Sequence, residues 1–123
     1  MARKTILVVE DDWGIGSCLQ ELFEGEGYPV LLAKHGQAAL DLLEMSSTPK
    51  PSLILLDLMM PVMDGTTFLF ELQQNYSEIF SHTPIFIMSA RHDFHRLTVK
   101  TTGIIKKPFD IHELSRVAAQ YCV

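Results

Sequence analysis

The feature that most constrains the fold of this chain is a set of short apolar runs, each followed by a segment of helical periodicity. Three of the runs, at residues 6–9, 53–56 and 85–88, contain no polar residue. Strands in antiparallel sheets usually alternate apolar and polar residues, whereas strands buried on both faces are apolar throughout. The pattern therefore predicts a parallel sheet, and two further runs at 30–33 and 104–105 bring the predicted strands to five.

Segments of helical periodicity lie between the apolar runs. The clearest repeats apolar residues every three or four positions up to Phe23 and is ended by Gly25 and Gly27. Further helices are predicted at 39–43, 68–72 and 114–121, with a weaker one between 91 and 102. Parallel strands need right-handed crossovers, which are usually helical, so this alternation predicts a three-layer α/β/α sandwich.

The size and charge of the chain limit the number of domains it can form and the functions it can have. At 123 residues it has room for one domain, predicted to span 1–123 with no output domain attached. Fifteen acidic residues against ten Lys and Arg leave a formal charge of −5, which argues against direct binding of nucleic acid. The sequence has no apolar run of the roughly 18 residues that a membrane helix needs. Cys18 and Cys122 form no spacing motif, so a reduced, cytoplasmic protein is expected.

Acids, a hydroxyl and lysines follow four of the predicted strands at the point where each strand ends. In a parallel sheet with helical crossovers, functional groups collect beyond these carboxyl ends. The residues in question are Glu10, Asp11 and Asp12, then Asp57, then Ser89, and finally Lys106 and Lys107. Any single acid here is as well explained as a helix N-cap, a role that suits Asp12. Four such strand ends together favour a functional site.

The chemistry of this set points to phosphoryl transfer. Several carboxylates within reach of one another repel, and a hard cation such as Mg²⁺ relieves that repulsion. A lysine supplies a point charge suited to a phosphoryl group, and a serine supplies a hydroxyl donor. An aspartate in such a site can be the nucleophile.

At these residues the chain resembles the receiver domain of two-component response regulators, over nearly its whole length. The resemblance rests on four segments: Ile6-Leu-Val-Val-Glu-Asp-Asp12, Leu55-Leu-Asp-Leu-Met-Met-Pro-Val-Met-Asp-Gly65, Met88-Ser-Ala90 and Lys107-Pro-Phe109. It implies a flavodoxin-like, five-stranded parallel sheet of order 2-1-3-4-5. It also implies a signalling switch rather than an enzyme, although such a switch assists its own phosphoryl transfer and dephosphorylation.

The resemblance assigns roles to individual residues. Asp57 would be the phosphoacceptor, Ser89 the switch hydroxyl and Lys107 the lysine that contacts the phosphoryl group. The Mg²⁺ ligands would be Glu10, Asp11, Asp57 and the backbone carbonyl of Met59. Strand alternation points Lys106 away from the site, and the Lys107–Pro108 peptide bond would be cis.

The implied partners are a sensor histidine kinase or a histidine phosphotransfer protein, a downstream protein target, and a weak homodimer. Neither nucleic acid nor a membrane is expected as a direct partner.

The alternative to a phosphorylation-dependent switch is a receiver-like interaction module that works largely without phosphorylation. Two other classes of protein are excluded because the sequence lacks a residue or loop that each of them needs. An aspartyl phosphatase needs a second acid where Met59 stands, and a flavin carrier needs a phosphate loop where Glu10, Asp11 and Asp12 stand.

Two departures from the family pattern concern the output of the switch. Ile104 stands where the family usually carries an aromatic residue, and only 18 positions separate Ser89 from Lys107. The fourth helix, between residues 91 and 102, is therefore expected to be short or irregular. Conformational change is expected in residues 89–94, where Arg91 is either a phosphoryl contact or a solvated loop residue.

Three histidines and the side chains of three methionines are expected to have no role in the chemistry of the site. His35, His82 and His112 show no partner pattern and are interpreted as surface residues. Met59, Met60 and Met63 form a soft apolar cluster, for which packing in the core or a loop is expected.

Overall fold

Five parallel strands form a single sheet in the order β2-β1-β3-β4-β5, as predicted. The structure is a computed structural model that describes residues 4–60, 62–90 and 101–123. The strands are β1 (Ile6–Val9), β2 (Val30–Ala33), β3 (Leu53–Asp57), β4 (Ile85–Ser89) and β5 (Gly103–Lys106). β3 and β4 each extend one residue beyond the predicted apolar run, so Asp57 and Ser89 are the last residues of their strands.

Helices cover both faces of the sheet. They are α1 (Trp13–Gly25), α2 (Gly36–Glu44), α3 (Gly65–Asn75), α4 (Ser77–His82) and α5 (Ile111–Tyr121). The six-residue helix α4 was not predicted, because fewer than two turns give no readable periodicity. The helix predicted between 91 and 102, and with it Arg91, falls mainly outside the described residues. Among the described residues, no helix has the length and apolar character needed to cross a bilayer.

The two faces of the sheet explain why the strand sequences are apolar at every position. Leu7 and Val9 pack into a core with α2 and α3, while Ile6 and Val8 pack into a second core with α1 and α5. Successive residues of a strand point to opposite faces, so a strand buried on both sides has no position for a polar residue. The same alternation divides residues 53–56 of β3 between the two cores.

Side-chain caps fix where the helices begin. Asp12 Oδ1 accepts the Ile15 N–H at 3.0 Å, which confirms Asp12 as the N-cap of α1. The caps of α3 and α5 are also aspartates. The prediction that His35 is a simple surface residue was wrong, because its Nδ1 accepts the Ala38 N–H at 3.1 Å and caps α2. An acceptor Nδ1 requires the neutral ring, with its proton on Nε2.

The strand register brings the carboxyl ends of four strands to one edge of the sheet. Val9 pairs with Leu56 between β1 and β3. Asp57 pairs with Met88 between β3 and β4, and Ser89 pairs with Lys106 between β4 and β5. The residues that follow these positions therefore meet at the same edge.

Candidate functional site

Three carboxylates from adjacent strands lie together at this edge. Glu10, Asp11 and Asp57 each offer one oxygen, and these three oxygens lie within 4.8 Å of one another. Glu10 and Asp57 are only 1% and 5% exposed, whereas Asp11 is exposed. Asp12, the next acid along the chain, is occupied as the N-cap of α1 and is not part of this cluster.

The Asp57 carboxylate is held at both oxygens. Oδ1 accepts the backbone N–H of Met59 at 3.0 Å, and Lys107 Nζ lies 3.4 Å from Oδ2. The chain then turns into α3, where the Gly65 N–H donates to the Leu58 carbonyl at 3.1 Å. A Cβ on Gly65 would lie 2.6 Å from the Asp57 carbonyl oxygen, so this close approach requires glycine.

Lys107, rather than Lys106, turns into the acidic cluster. Its Nζ lies 2.7 Å from Glu10 Oε1 as well as 3.4 Å from Asp57 Oδ2, and its side chain is partly buried. Lys106 is exposed. The predicted cis peptide bond between Lys107 and Pro108 is present. The orientation expected from strand alternation is therefore the observed one.

Burial and neighbouring charges shift the pKa values of Glu10 and Lys107. Burial, the largest cause, and the neighbouring Asp57 together raise the pKa of Glu10 to about 8, although the nearby Lys107 lowers it. Burial lowers the pKa of Lys107, but its contacts with Glu10 and Asp57 outweigh burial, so that pKa lies above its usual value. The lysine therefore stays charged and compensates part of the acidic charge.

Ser89 is buried at the end of β4, on the strand next to β3. It lies one residue beyond Met88, the register partner of Asp57. Its hydroxyl therefore belongs to the same edge as the acids. Ile104, which occupies the position expected to be aromatic, is exposed on the edge strand β5.

Three large apolar residues close in sequence to the acids are exposed. Trp13 is 67% exposed and stacks against Lys34, whose Nζ lies 4.9 Å from the ring. Met59 is 58% exposed, so the packing predicted for it was wrong, whereas Met60 and Met63 do pack against the core. Val62 is 82% exposed with φ of 66°, in the left-handed region. Propensity alone would not have placed a valine there.

The fold and this group of side chains define a class of protein. The sequence profile of the response regulator receiver domain matches residues 6–119. The chain therefore belongs to the response regulator receiver domain family.

Individual relatives support this membership. The chain is 33% identical to sporulation initiation phosphotransferase F of Bacillus subtilis, over 98% of this chain and 95% of that protein. It is 38% identical to the transcriptional regulatory protein CpxR of Escherichia coli, over 89% of this chain and 45% of CpxR, and so spans less than half of that protein. The receiver domain of the Francisella response regulator 1452 has a similar structure, with a TM-score of 0.78, 28% identity and 96% of each chain covered.

Proposed function

We propose that this protein is a phosphorylation-dependent switch of a two-component system, in which Asp57 accepts a phosphoryl group. The donor is a phosphohistidine on a sensor histidine kinase or a histidine phosphotransfer protein. The observation that carries the proposal is the carboxylate of Asp57 at the end of the central strand, within 4.8 Å of two other acids and 3.4 Å from Lys107 Nζ. Family membership and the match to a phosphotransferase and a transcriptional regulator support it.

The residues present fit a magnesium ion. Three carboxylate oxygens on different residues converge within 4.8 Å, and oxygen ligands from one or two carboxylates are what Mg²⁺ takes in phosphoryl-transfer sites. Glu10, Asp11 and Asp57 would hold the ion, with the backbone carbonyl of Met59 as a further ligand. When bound, Mg²⁺ neutralises negative charge on the phosphoryl oxygens.

The chain's own residues then perform the transfer. A carboxylate oxygen of Asp57 attacks the phosphorus, the phosphorus–nitrogen bond to the histidine breaks, and the leaving imidazole nitrogen takes a proton from water. Lys107 stabilises charge on the transferred group, because its raised pKa keeps the ammonium protonated. Ser89 donates a hydrogen bond to the phosphorylated site.

The position of Met59 favours a switch over a phosphatase. An aspartyl phosphatase needs a general acid two residues after its nucleophile, and here that residue offers a thioether and a backbone N–H. The acyl phosphate on Asp57 would thus last long enough to act as a signal. We further propose that residues 1–123 form a single receiver domain in the cytoplasm. A downstream protein would bind its phosphorylated form, and the domain would also form a weak homodimer.

The test compares Asp57→Asn with the matched control Asp12→Asn. Asparagine caps helices as well as aspartate does, so the control leaves α1 intact and removes one nearby acid outside the cluster. Each purified protein is incubated with acetyl phosphate and Mg²⁺, and intact mass spectrometry counts the phosphoryl groups added. A parallel sample contains excess chelator.

The expected result is one phosphoryl group on the wild-type protein and on Asp12→Asn, and none on Asp57→Asn. Chelation is expected to abolish labelling, since the acidic charge is then uncompensated by a cation. A stable acyl phosphate on Asp57→Asn would overturn the assignment of the acceptor. Equal labelling in chelator would overturn the role of the metal. An unlabelled wild-type protein would favour the phosphorylation-independent interaction module.

A further inference from the structure

Val62 adopts a backbone conformation that a valine strongly disfavours. Its φ of 66° lies in the left-handed region, where a side chain branched at Cβ crowds the backbone. Glycine and asparagine adopt this conformation far more easily. The side chain is 82% exposed, so burial within this chain compensates little of the cost. The presence of valine here therefore needs a reason outside the packing of the domain.

The loop that carries Val62 is anchored on both sides, which explains how the conformation is maintained. Before it, the Met59 N–H donates to Asp57 Oδ1 at 3.0 Å. After it, the Met63 carbonyl accepts the Gly36 N–H at 3.0 Å. These bonds tie the β3–α3 loop to the acidic cluster at one end and to the start of α2 at the other. Neither bond involves the Val62 side chain, so these anchors give no reason for a valine at this position.

Val62 is one of three exposed apolar residues that lie close in sequence to the acids of the cluster. We call Trp13, Met59 and Val62 the apolar rim; they are 67%, 58% and 82% exposed. Met59 and Val62 lie on the loop after Asp57, and Trp13 is the first residue of α1, two positions after Asp11; the strands that precede them, β3 and β1, are neighbours in the sheet. Exposed apolar residues at one edge of a domain favour an interaction site there, and aromatic residues often dominate the binding energy of such sites.

The recessed position of Asp57 indicates what covers the rim. The residue is only 5% exposed, so a phosphoryl donor has to enter the site between the loops. A small molecule can do so without touching the rim, whereas a protein that presents a phosphohistidine has to rest its surface on these loops. Resting on the proposed function, we infer that Val62 is a recognition residue for a protein phosphodonor, and that its strained backbone presents an apolar side chain to that partner.

The experiment separates recognition from chemistry by using two kinds of donor. Purified sensor histidine kinases are autophosphorylated with ATP, and the one that labels the wild-type protein fastest is used for all variants. Acetyl phosphate is the small donor. Val62→Asn suits the left-handed backbone but removes the apolar group, and Val62→Ile keeps both the apolar group and the branching. Met45→Gln is the matched control, because Met45 is an exposed apolar residue at the opposite end of the molecule, after α2.

With the kinase, we expect Val62→Asn to be labelled at least about fivefold more slowly than the wild type, a loss typical of a contact residue at a protein interface. Val62→Ile and Met45→Gln are expected to stay within about twofold, and all variants within about twofold with acetyl phosphate. An unchanged kinase rate for Val62→Asn would overturn the inference. Equal slowing of Val62→Asn with both donors would also overturn it, because that result would mean a distorted site. A wild-type protein that is labelled by acetyl phosphate but by none of the kinases would overturn it as well. Failure with acetyl phosphate as well would instead overturn the proposed function.

Discussion

Gly65 is the residue at which a single methyl group should damage both the fold and the site. An added Cβ would lie 2.6 Å from the Asp57 carbonyl oxygen and 2.7 Å from Leu58 Cα. Both are backbone atoms of the segment that positions the Asp57 carboxylate, so no side chain can rotate to relieve the overlap. Gly65→Ala therefore has to push the start of α3 away from the end of β3.

The expected cost follows from two opposed effects. Overpacking of this kind usually costs about 1–3 kcal/mol, and the Gly65 N–H bond to Leu58, at 3.1 Å, lies on the same contact. Alanine favours a helix over glycine by roughly 0.5–1 kcal/mol, which offsets part of it. We expect Gly65→Ala to lower the free energy of unfolding by about 2 kcal/mol, or Tm by roughly 8 °C in a domain of this size.

Gly25→Ala is the matched control, because nothing lies within 4 Å of its Cβ position at the end of α1. It should leave Tm unchanged or raise it slightly. Thermal unfolding followed by circular dichroism gives both values. Labelling with acetyl phosphate well below Tm should show Gly65→Ala slowed at least about tenfold, since displacement of a reacting group by an ångström has large effects on rate. A Tm for Gly65→Ala at or above that of the wild type would refute this reasoning, as would equal losses in the two variants.

Three further predictions concern side chains near the same edge of the sheet. Lys107→Ala should slow labelling by acetyl phosphate at least about tenfold, because Lys107, and not its neighbour Lys106, reaches Glu10 and Asp57; Lys106→Ala should stay within about twofold, and equal defects would mean a different register of β5. His35→Ala should lower the free energy of unfolding by about 1 kcal/mol in urea denaturation, as loss of an N-cap does, and His35→Asn should retain the wild-type value; a silent alanine variant would contradict the cap. Val62→Asn should raise the same free energy by about 1 kcal/mol, since asparagine tolerates φ > 0; a destabilised variant would show that the left-handed turn is not strained.

Much of the fold follows from the sequence because strand burial leaves a direct mark on composition. The apolar runs of β1, β3 and β4 are each buried at every position, and a parallel sheet is the architecture that produces such burial. Helix α4 escaped prediction for the opposite reason. It is six residues long and buries only Ile79, so it has no periodic stripe to detect.

The composition of the site was also predictable, because the carboxyl ends of parallel strands must meet at one edge. That rule identified Glu10, Asp11 and Asp57 as neighbours, and the three do converge. It could not predict which partner Lys107 prefers. The 2.7 Å contact with Glu10 and the 3.4 Å contact with Asp57 depend on side-chain rotamers, on which strand periodicity carries no information.

Features that depend on loop geometry were missed or misjudged, and they share a physical cause. His35 caps a helix through a ring nitrogen, although the usual capping residues have short oxygen-bearing side chains. Val62 takes a left-handed conformation that its own propensity opposes, and Met59 is exposed although it is apolar. In each case the position of the residue in the fold, and not its local sequence preference, accounts for what is observed.

The departures from local preference lie near the functional edge of the sheet, and this distribution is itself informative. A domain selected only for stability would place asparagine or glycine at position 62 and a short polar residue at position 35. The core positions of β1 and β3, by contrast, are apolar and buried on both faces of the sheet, as the strand pattern predicts. Sequences tend to break such rules where function demands it. The disfavoured Val62 and the exposed Met59 both belong to the loop that follows Asp57, where the proposed protein phosphodonor would contact the domain.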